Sequence, residues 1–240
     1  INVHVSQKLA IDSVDTTGKT PLMVARDPFV IRALLLAGAS QTKTGELGET
    51  ALQFACAFLQ KGAVEAMLQY SKHHLEGVLE VHPVLKADSQ SELPIHEVCK
   101  AVDPKRQEDQ FEILKLLLAH GSPVNPIEEG GMTPLHLAVK MGNAHLLPLL
   151  IEYGANLVAQ NHAGETPLHK AASNGDKKCI VILLRHMHRG RNIKDNHGNT
   201  PLAVSAIKGD YDCFKEMLRR NNYETTNRKG QNLYHILYAH

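Results

Sequence analysis

Four cysteines and fifteen histidines are the side chains of this 240-residue chain best able to ligate a metal or attack an electrophile. Thiolates do both when their pKa is lowered, and imidazoles bind zinc when several donors converge. Cys56, Cys99, Cys179 and Cys213 form no Cys-x-x-Cys pair. Cys56 and Cys99 occupy a small-residue slot that Ala172 fills further on, and Cys179 and Cys213 each follow a glycine, Gly175 and Gly209, by four residues. A free cysteine at such a place behaves as a small hydrophobe, so all four are expected to be buried and unpaired. His73, His74 and His82 cluster in sequence, as do His186 and His188, but no further ligand stands at zinc-site spacing beside the second pair. No metal site and no cofactor is expected.

Nucleophilic catalysis needs a Ser or Cys with a base, or a glycine loop that cradles phosphate. The chain has no Gly-x-Ser-x-Gly, no Walker-type loop and no His-Glu-x-x-His, so it is not read as an enzyme. Charge is the remaining chemistry. Residues 1–120 hold 12 basic and 15 acidic side chains, and residues 121–240 hold 14 and 10. The excess of positive charge lies between Lys170 and Lys194, where seven Lys and Arg face Asp176 alone. Such a stretch attracts an acidic protein segment or phosphate. It carries no aromatic side chain on which bases could stack, which disfavours nucleic acid.

These side chains must be positioned by something, and the chain declares it by repetition. Gly-x-Thr-Pro-Leu occurs at Gly18–Leu22, Gly131–Leu135, Gly164–Leu168 and Gly198–Leu202, with a near copy at Gly48–Leu52. The intervals from Thr133 to Thr166 and from Thr166 to Thr200 are 33 and 34 residues. Thr offers an oxygen to the free amides of a helix's first turn, and Pro suits the first helical position because its missing N–H costs nothing there. Small residues, a Gly and an apolar run ending in paired Leu follow the motifs at Thr133 and Thr166, which makes two short helices per unit. The Asn, Asp and Gly before each motif predict hairpin-like turns.

Thr-Pro-Leu-His at Thr133–His136 and Thr166–His169, with the downstream Gly and Leu pair, resembles the ankyrin-repeat signature. The resemblance covers nearly the whole chain and implies an all-α solenoid of stacked helix-turn-helix units joined by hairpin-like loops. Six helix pairs are expected, beginning near Thr20, Thr50, Leu93, Thr133, Thr166 and Thr200, with a half-repeat from Gly230. Residues 1–17 form a lead-in and residues 18–240 one repeat domain. Irregularity is expected near 71–90 and 103–110. Pro28 should shorten the first helix of the first unit, and Leu93, which cannot cap, should give the third unit its least ordered helix start. The resemblance also implies that His96, His136, His169 and His235 tie neighbouring turns together.

The family resemblance implies a protein-interaction scaffold or adaptor that binds its partner in a concave groove. Repeat phase places Lys140, Met141, Lys170, Ser173, Asn174, Ile207 and Lys208 in that groove, and Glu128, Glu129, Asn161, His162, Asn196, His197 and Arg228 at the hairpin tips. Lys140, Lys170 and Lys208 on successive first helices favour a protein partner with an acidic segment. A monomer is expected. Two other readings stay open: a recruiting region of a larger effector or enzyme, and a small-ligand or nucleotide site within Ser71–Gln110. No apolar run reaches the length that spans a bilayer. An intracellular chain is expected, cytoplasmic by default, with the nucleus or secretion into a host cell as alternatives.

Overall fold

The computed structural model describes residues 11–74 and 82–219. The chain divides into two compact units, Ile1–Glu129 and Gly130–His240. Twelve α-helices and no strand occur among the described residues, apart from a single bridge between Thr44 and Thr50. Unit 1 holds the helix pairs α1 (Pro21–Val24) and α2 (Pro28–Leu36), α3 (Ala51–Ala57) and α4 (Lys61–His74), and α5 (Pro94–Lys100) and α6 (Gln107–Ala119). Unit 2 holds α7 (Pro134–Lys140) and α8 (Leu147–Glu152), α9 (Pro167–Asn174) and α10 (Lys177–His186), and α11 (Pro201–Lys208) and α12 (Tyr211–Leu218). In each unit the first helices of the pairs pack on one another and the second helices do likewise, giving two layers.

The motif threonines begin the first helices as their chemistry requires. Thr50, Thr133, Thr166 and Thr200 each accept from the backbone N–H three residues on, at 3.3 to 3.4 Å. Three second helices are capped by aspartate. Asp27 accepts from the amides of Phe29 and Val30, Asp176 from Cys179, and Asp210 from Cys213. Loss of such a cap typically costs about 1 kcal/mol. Leu22, Leu52, Ile95, Leu135, Leu168 and Leu202 occupy one equivalent place and are all buried. Each contributes about 1.5 to 3 kcal/mol by leaving water.

The four cysteines are buried and free, as their slots predict. Burial pushes every thiol upward, that of Cys213 to about 12, so none offers a thiolate near neutral pH. Pro28 does shorten α1, which has four residues, and then opens α2 at its first position. The third repeat differs from the sequence expectation. Leu93 supplies no cap, yet α5 is as long as α3 and α7. The amide that a Thr oxygen would have taken, the His96 N–H, donates instead to the Leu93 carbonyl at 2.9 Å. The extra residues 103–110 are partly helical, since α6 begins at Gln107 and runs for 13 residues. Around 71–90, α4 extends to His74 and a 3₁₀ turn forms at Pro83–Leu85, while 75–81 lie outside the described residues. The half-repeat from Gly230, with His235 and Arg228, also lies outside them, as do residues 1–10 of the lead-in.

Candidate protein-binding surface

One slot, three residues into each motif, holds successive repeats together. His136 Nδ1 accepts from the Thr133 amide at 3.2 Å, and its Nε2 donates to the Glu165 carbonyl at 3.0 Å. His169 does the same with Thr166 and the Asn199 carbonyl, at 3.0 and 3.1 Å. His96 links Leu93 to the Pro126 carbonyl, the latter at 3.2 Å. An imidazole that accepts through Nδ1 and donates through Nε2 is neutral. Burial accordingly pushes all three pKa values down, that of His136 to about 4, against the opposing pull of the carbonyl hydrogen bond. Gln53 fills the slot in the second repeat, while Met23 and Ala203 fill it in the first and sixth.

The hairpin tips are joined more directly. In unit 2 the His162 amide donates to the Gly130 carbonyl at 3.2 Å, and the Asn196 amide to the Ala163 carbonyl at 3.0 Å. In unit 1, Ser89 donates to Leu47 and Glu129 to Gln90, both at 3.0 Å. Gly164 permits this spacing twice over: its φ is +74°, and a Cβ there would lie 2.8 Å from the Asn196 amide nitrogen. The tip rungs and slot hydrogen bonds make each unit's first-helix face a rigid platform.

Unit 2 carries most of the residues singled out from the sequence. Lys140, Met141, Asn174, Ile207 and Lys208 are exposed at the ends of α7, α9 and α11, and Ser173 is half-buried. Met141 is 38% and Ile207 44% exposed, both high for apolar side chains. Asn174 spends its amide on the Val139 and Lys140 carbonyls, at 3.1 and 2.9 Å, and so braces α9 against α7. Lys170 departs from the expectation of an open groove cation. It is half-buried, and its Nζ lies 2.5 Å from Glu165 Oε2. At the tips, His162, Asn196 and His197 are exposed. Asn161 is buried, with its side-chain oxygen accepting from the Ala163 and Glu165 amides, so it shapes the turn. Glu128 is half-buried and Glu129 exposed in unit 1.

Unit 1 holds a cleft, one wall of which comes from the Ser71–Gln110 segment that the sequence left open as a small-ligand or nucleotide site. It encloses about 240 Å³ between Leu47, Phe54, Ala57 and Phe58 on one side and Asp88, Glu92, Glu97 and Lys100 on the other. Lys19 Nζ stands 5.0 Å from the centre of the Phe54 ring. Ligand oxygens of Asp88, Glu92 and Glu97 come within 4.8 Å of one another. Lys100 supplies the cation among them, with its Nζ 2.5 Å from Glu92 and 3.0 Å from Glu97. Burial, with the hydrogen bond to Glu92, raises the Glu97 carboxyl to about 7. Glu92 is also pushed up by burial, but hydrogen bonds with Glu97 and Lys100 outweigh this and hold it below the usual value. The apolar wall comes from Phe54 within α3 and Phe58 just after it. Its acidic partner comes from the next repeat, which periodicity alone does not bring near.

Two family models, both for ankyrin repeats, match residues 95–151 and 157–229. The chain is similar to the mouse (Mus musculus) NF-kappa-B inhibitor delta, 28% identical over 147 residues, or 57% of this chain and 45% of that protein. It is similar also to the NF-kappa-B inhibitor cactus of Drosophila melanogaster, 29% identical over 127 residues, or 47% of this chain and 25% of that protein. The matches thus span less than half the length of these curated relatives. Among solved structures, the ankyrin repeat domain of Bcl-3, described as a unique member of the IkappaB protein family, matches with a TM-score of 0.73 at 25% identity. That match covers 91% of this chain and 90% of the other. No helix among the described residues is long and apolar enough to cross a membrane.

Proposed function

The chain belongs to the ankyrin-repeat family, and from that premise we propose that it is a protein-interaction scaffold or adaptor whose first-helix face receives the partner. The observation that carries this reading is the recurrence of exposed apolar side chains where the first helices end. In unit 2 these are Met141 and Ile207, set beside the exposed Lys140 and Lys208. In unit 1 they are Val24, Phe58 and Val102. Apolar residues left in water on a platform held by buried hydrogen bonds suit a surface that binds with little ordering cost. Lys140 and Lys208 favour a partner with acidic groups near its apolar contacts.

The finer proposal concerns the partner. Two relatives carry the name NF-kappa-B inhibitor and the similar structure is described as an IkappaB family member, which supports an NF-kappa-B-type protein as the first partner to test. The test is a calorimetric titration of a purified NF-kappa-B protein against this chain and against a Met141→Asp/Ile207→Asp variant. Micromolar or tighter binding that falls at least tenfold in the variant, with an unchanged melting curve, is the expected result. Binding equal in both proteins would sink the assignment of the first-helix face. The same reading takes residues 18–240 as one domain and the chain as a monomer, which a single urea transition and sedimentation analysis would check.

A further inference from the structure

Helix α10 presents a different chemistry from the first-helix face. Its second-helix position puts Lys177, Lys178, Arg185 and His186 in the open, with Val181 and Ile182 half-buried between them. The spacing is regular. Lys177, Val181 and Arg185 follow one another at four-residue intervals, and so do Lys178, Ile182 and His186. Residues four apart lie above one another on a helix, so two parallel rows run basic, apolar, basic over roughly 12 Å. His188 and Arg189 extend the exposed basic surface beyond the helix end. Arg191 holds the loop that carries them, donating to the carbonyls of Leu184 and Met187.

No carboxylate among the described residues neutralises these rows. Asp176, the acid at the start of the helix, is occupied in capping Cys179. The flanking second helices bring Glu152 on α8 and Asp212 and Glu216 on α12, but none forms an ion pair with Lys177, Lys178, Arg185 or Arg189. Glu216 turns instead to Arg219. Three cations in two rows, with aliphatic side chains at their centre, are left for an external partner.

We propose that this face of α10 is a second docking surface, separate from the first-helix face, for a protein segment in which carboxylates flank aliphatic side chains at one-turn spacing. Charge complementarity calls for an anion, and the Val181 and Ile182 stripe chooses its kind. A nucleic-acid backbone offers phosphates without apolar groups to cover that stripe, and no aromatic side chain lies between Lys170 and Lys194 to stack a base. An acidic, aliphatic peptide satisfies both the rows and their centre.

The experiment uses fluorescence anisotropy with three labelled probes: a peptide of glutamate and leucine at that spacing, an oligo-glutamate of equal charge, and duplex DNA. Each is titrated with the chain, with Lys177→Glu/Lys178→Glu/Arg185→Glu, with Val181→Ser/Ile182→Ser, and with Lys140→Glu/Lys208→Glu. The glutamate-leucine peptide is expected to bind tightest, to weaken about tenfold or more in the first two variants, and to be unchanged in the third. Equal or tighter binding of oligo-glutamate or DNA overturns the proposal, as does binding that survives the α10 charge reversal or is lost in the Lys140/Lys208 variant. Circular dichroism checks folding. If the Val181/Ile182 variant does not fold, the charge reversal decides alone, because it alters exposed side chains only. The NF-kappa-B titration above reads a different surface, so either idea can fail without the other.

Discussion

Gln53 donates through Nε2 to the Glu92 carbonyl at 2.7 Å while its Oε1 accepts from the Thr50 amide at 2.8 Å. This is the bridge that His136 makes between the Thr133 amide and the Glu165 carbonyl. Two different side chains thus solve one problem, the satisfaction of a buried amide and the joining of two repeats. The equivalence predicts that His136→Gln leaves stability within about 1 kcal/mol of wild type. His136→Ala, which leaves the Thr133 amide buried without a partner, should cost about 2 to 3 kcal/mol. Urea unfolding of the two variants checks both, and equal losses would show that the slot is a matter of volume alone.

The same histidine makes stability depend on pH. Its folded pKa of about 4 lies below the ordinary imidazole value of 6.5, so the unfolded chain binds the proton first. The stabilising contribution is complete above about pH 6.5 and is lost as pH falls toward 4, on the order of 3 kcal/mol over that window. Glu97, raised to about 7, acts in the opposite sense, destabilising as pH rises from its unfolded value. The difference between wild type and His136→Gln isolates the imidazole. The variant should gain on wild type steadily between pH 6.5 and 4, as read from melting temperatures in a buffer series. A constant difference would contradict a neutral buried His136.

Met23 is the weak form of the slot. The Thr20 amide meets its sulfur at 3.4 Å, and the Thr20 hydroxyl is buried without a partner. In Met23→Gln the new amide should take the Thr20 N–H and hydroxyl and reach the Glu49 carbonyl, by analogy with Gln53. A gain of about 1 kcal/mol is expected. A melting temperature at or below that of wild type would argue against this register for the first repeat.

Lys170 and Lys140 should respond differently to charge reversal. Lys140→Glu alters an exposed side chain and should stay within about 0.5 kcal/mol. Lys170→Glu breaks the pairing with Glu165 and sets two carboxylates together in a half-buried place, which should cost about 1 kcal/mol or more. Denaturant midpoints distinguish the two. Equal midpoints would mean that the Glu165 contact contributes nothing.

What was legible in the sequence is what is local and periodic. Thr133-Pro134 announces a helix start because cap and first turn are neighbours in sequence, and Cys56 declares its burial through Ala172 in the same slot. Asp176 and Asp210, three residues before Cys179 and Cys213, carried a capping signal that reading for catalytic groups passed over. Lys170 is not the open cation that repeat phase predicts, because its partner, Glu165, belongs to the preceding turn and only the folded path brings them together. Leu93 has no cap oxygen, but the His96 amide that would have used one turns to the Leu93 carbonyl, a backbone contact that side-chain types do not announce. Opposed walls from different repeats, Phe54 against Glu97, are invisible to a reading that takes one repeat at a time.

The rungs between hairpin tips also bear on how such a chain can be re-engineered. With a Cβ at Gly164 only 2.8 Å from the Asn196 amide nitrogen and one at Gly131 3.0 Å from the His162 amide nitrogen, the tips of unit 2 have no slack along the rung direction. An added residue in these turns would throw the neighbouring rung out of register, whereas exchanging the exposed side chain of His197 leaves the rungs in place, and Asn196, whose Nδ2 donates to the His162 carbonyl at 2.9 Å, is best kept. Retargeting libraries for this protein should therefore vary composition at constant loop length, and keep insertions for the stretch between α4 and α5, where the natural chain already departs from its repeat length.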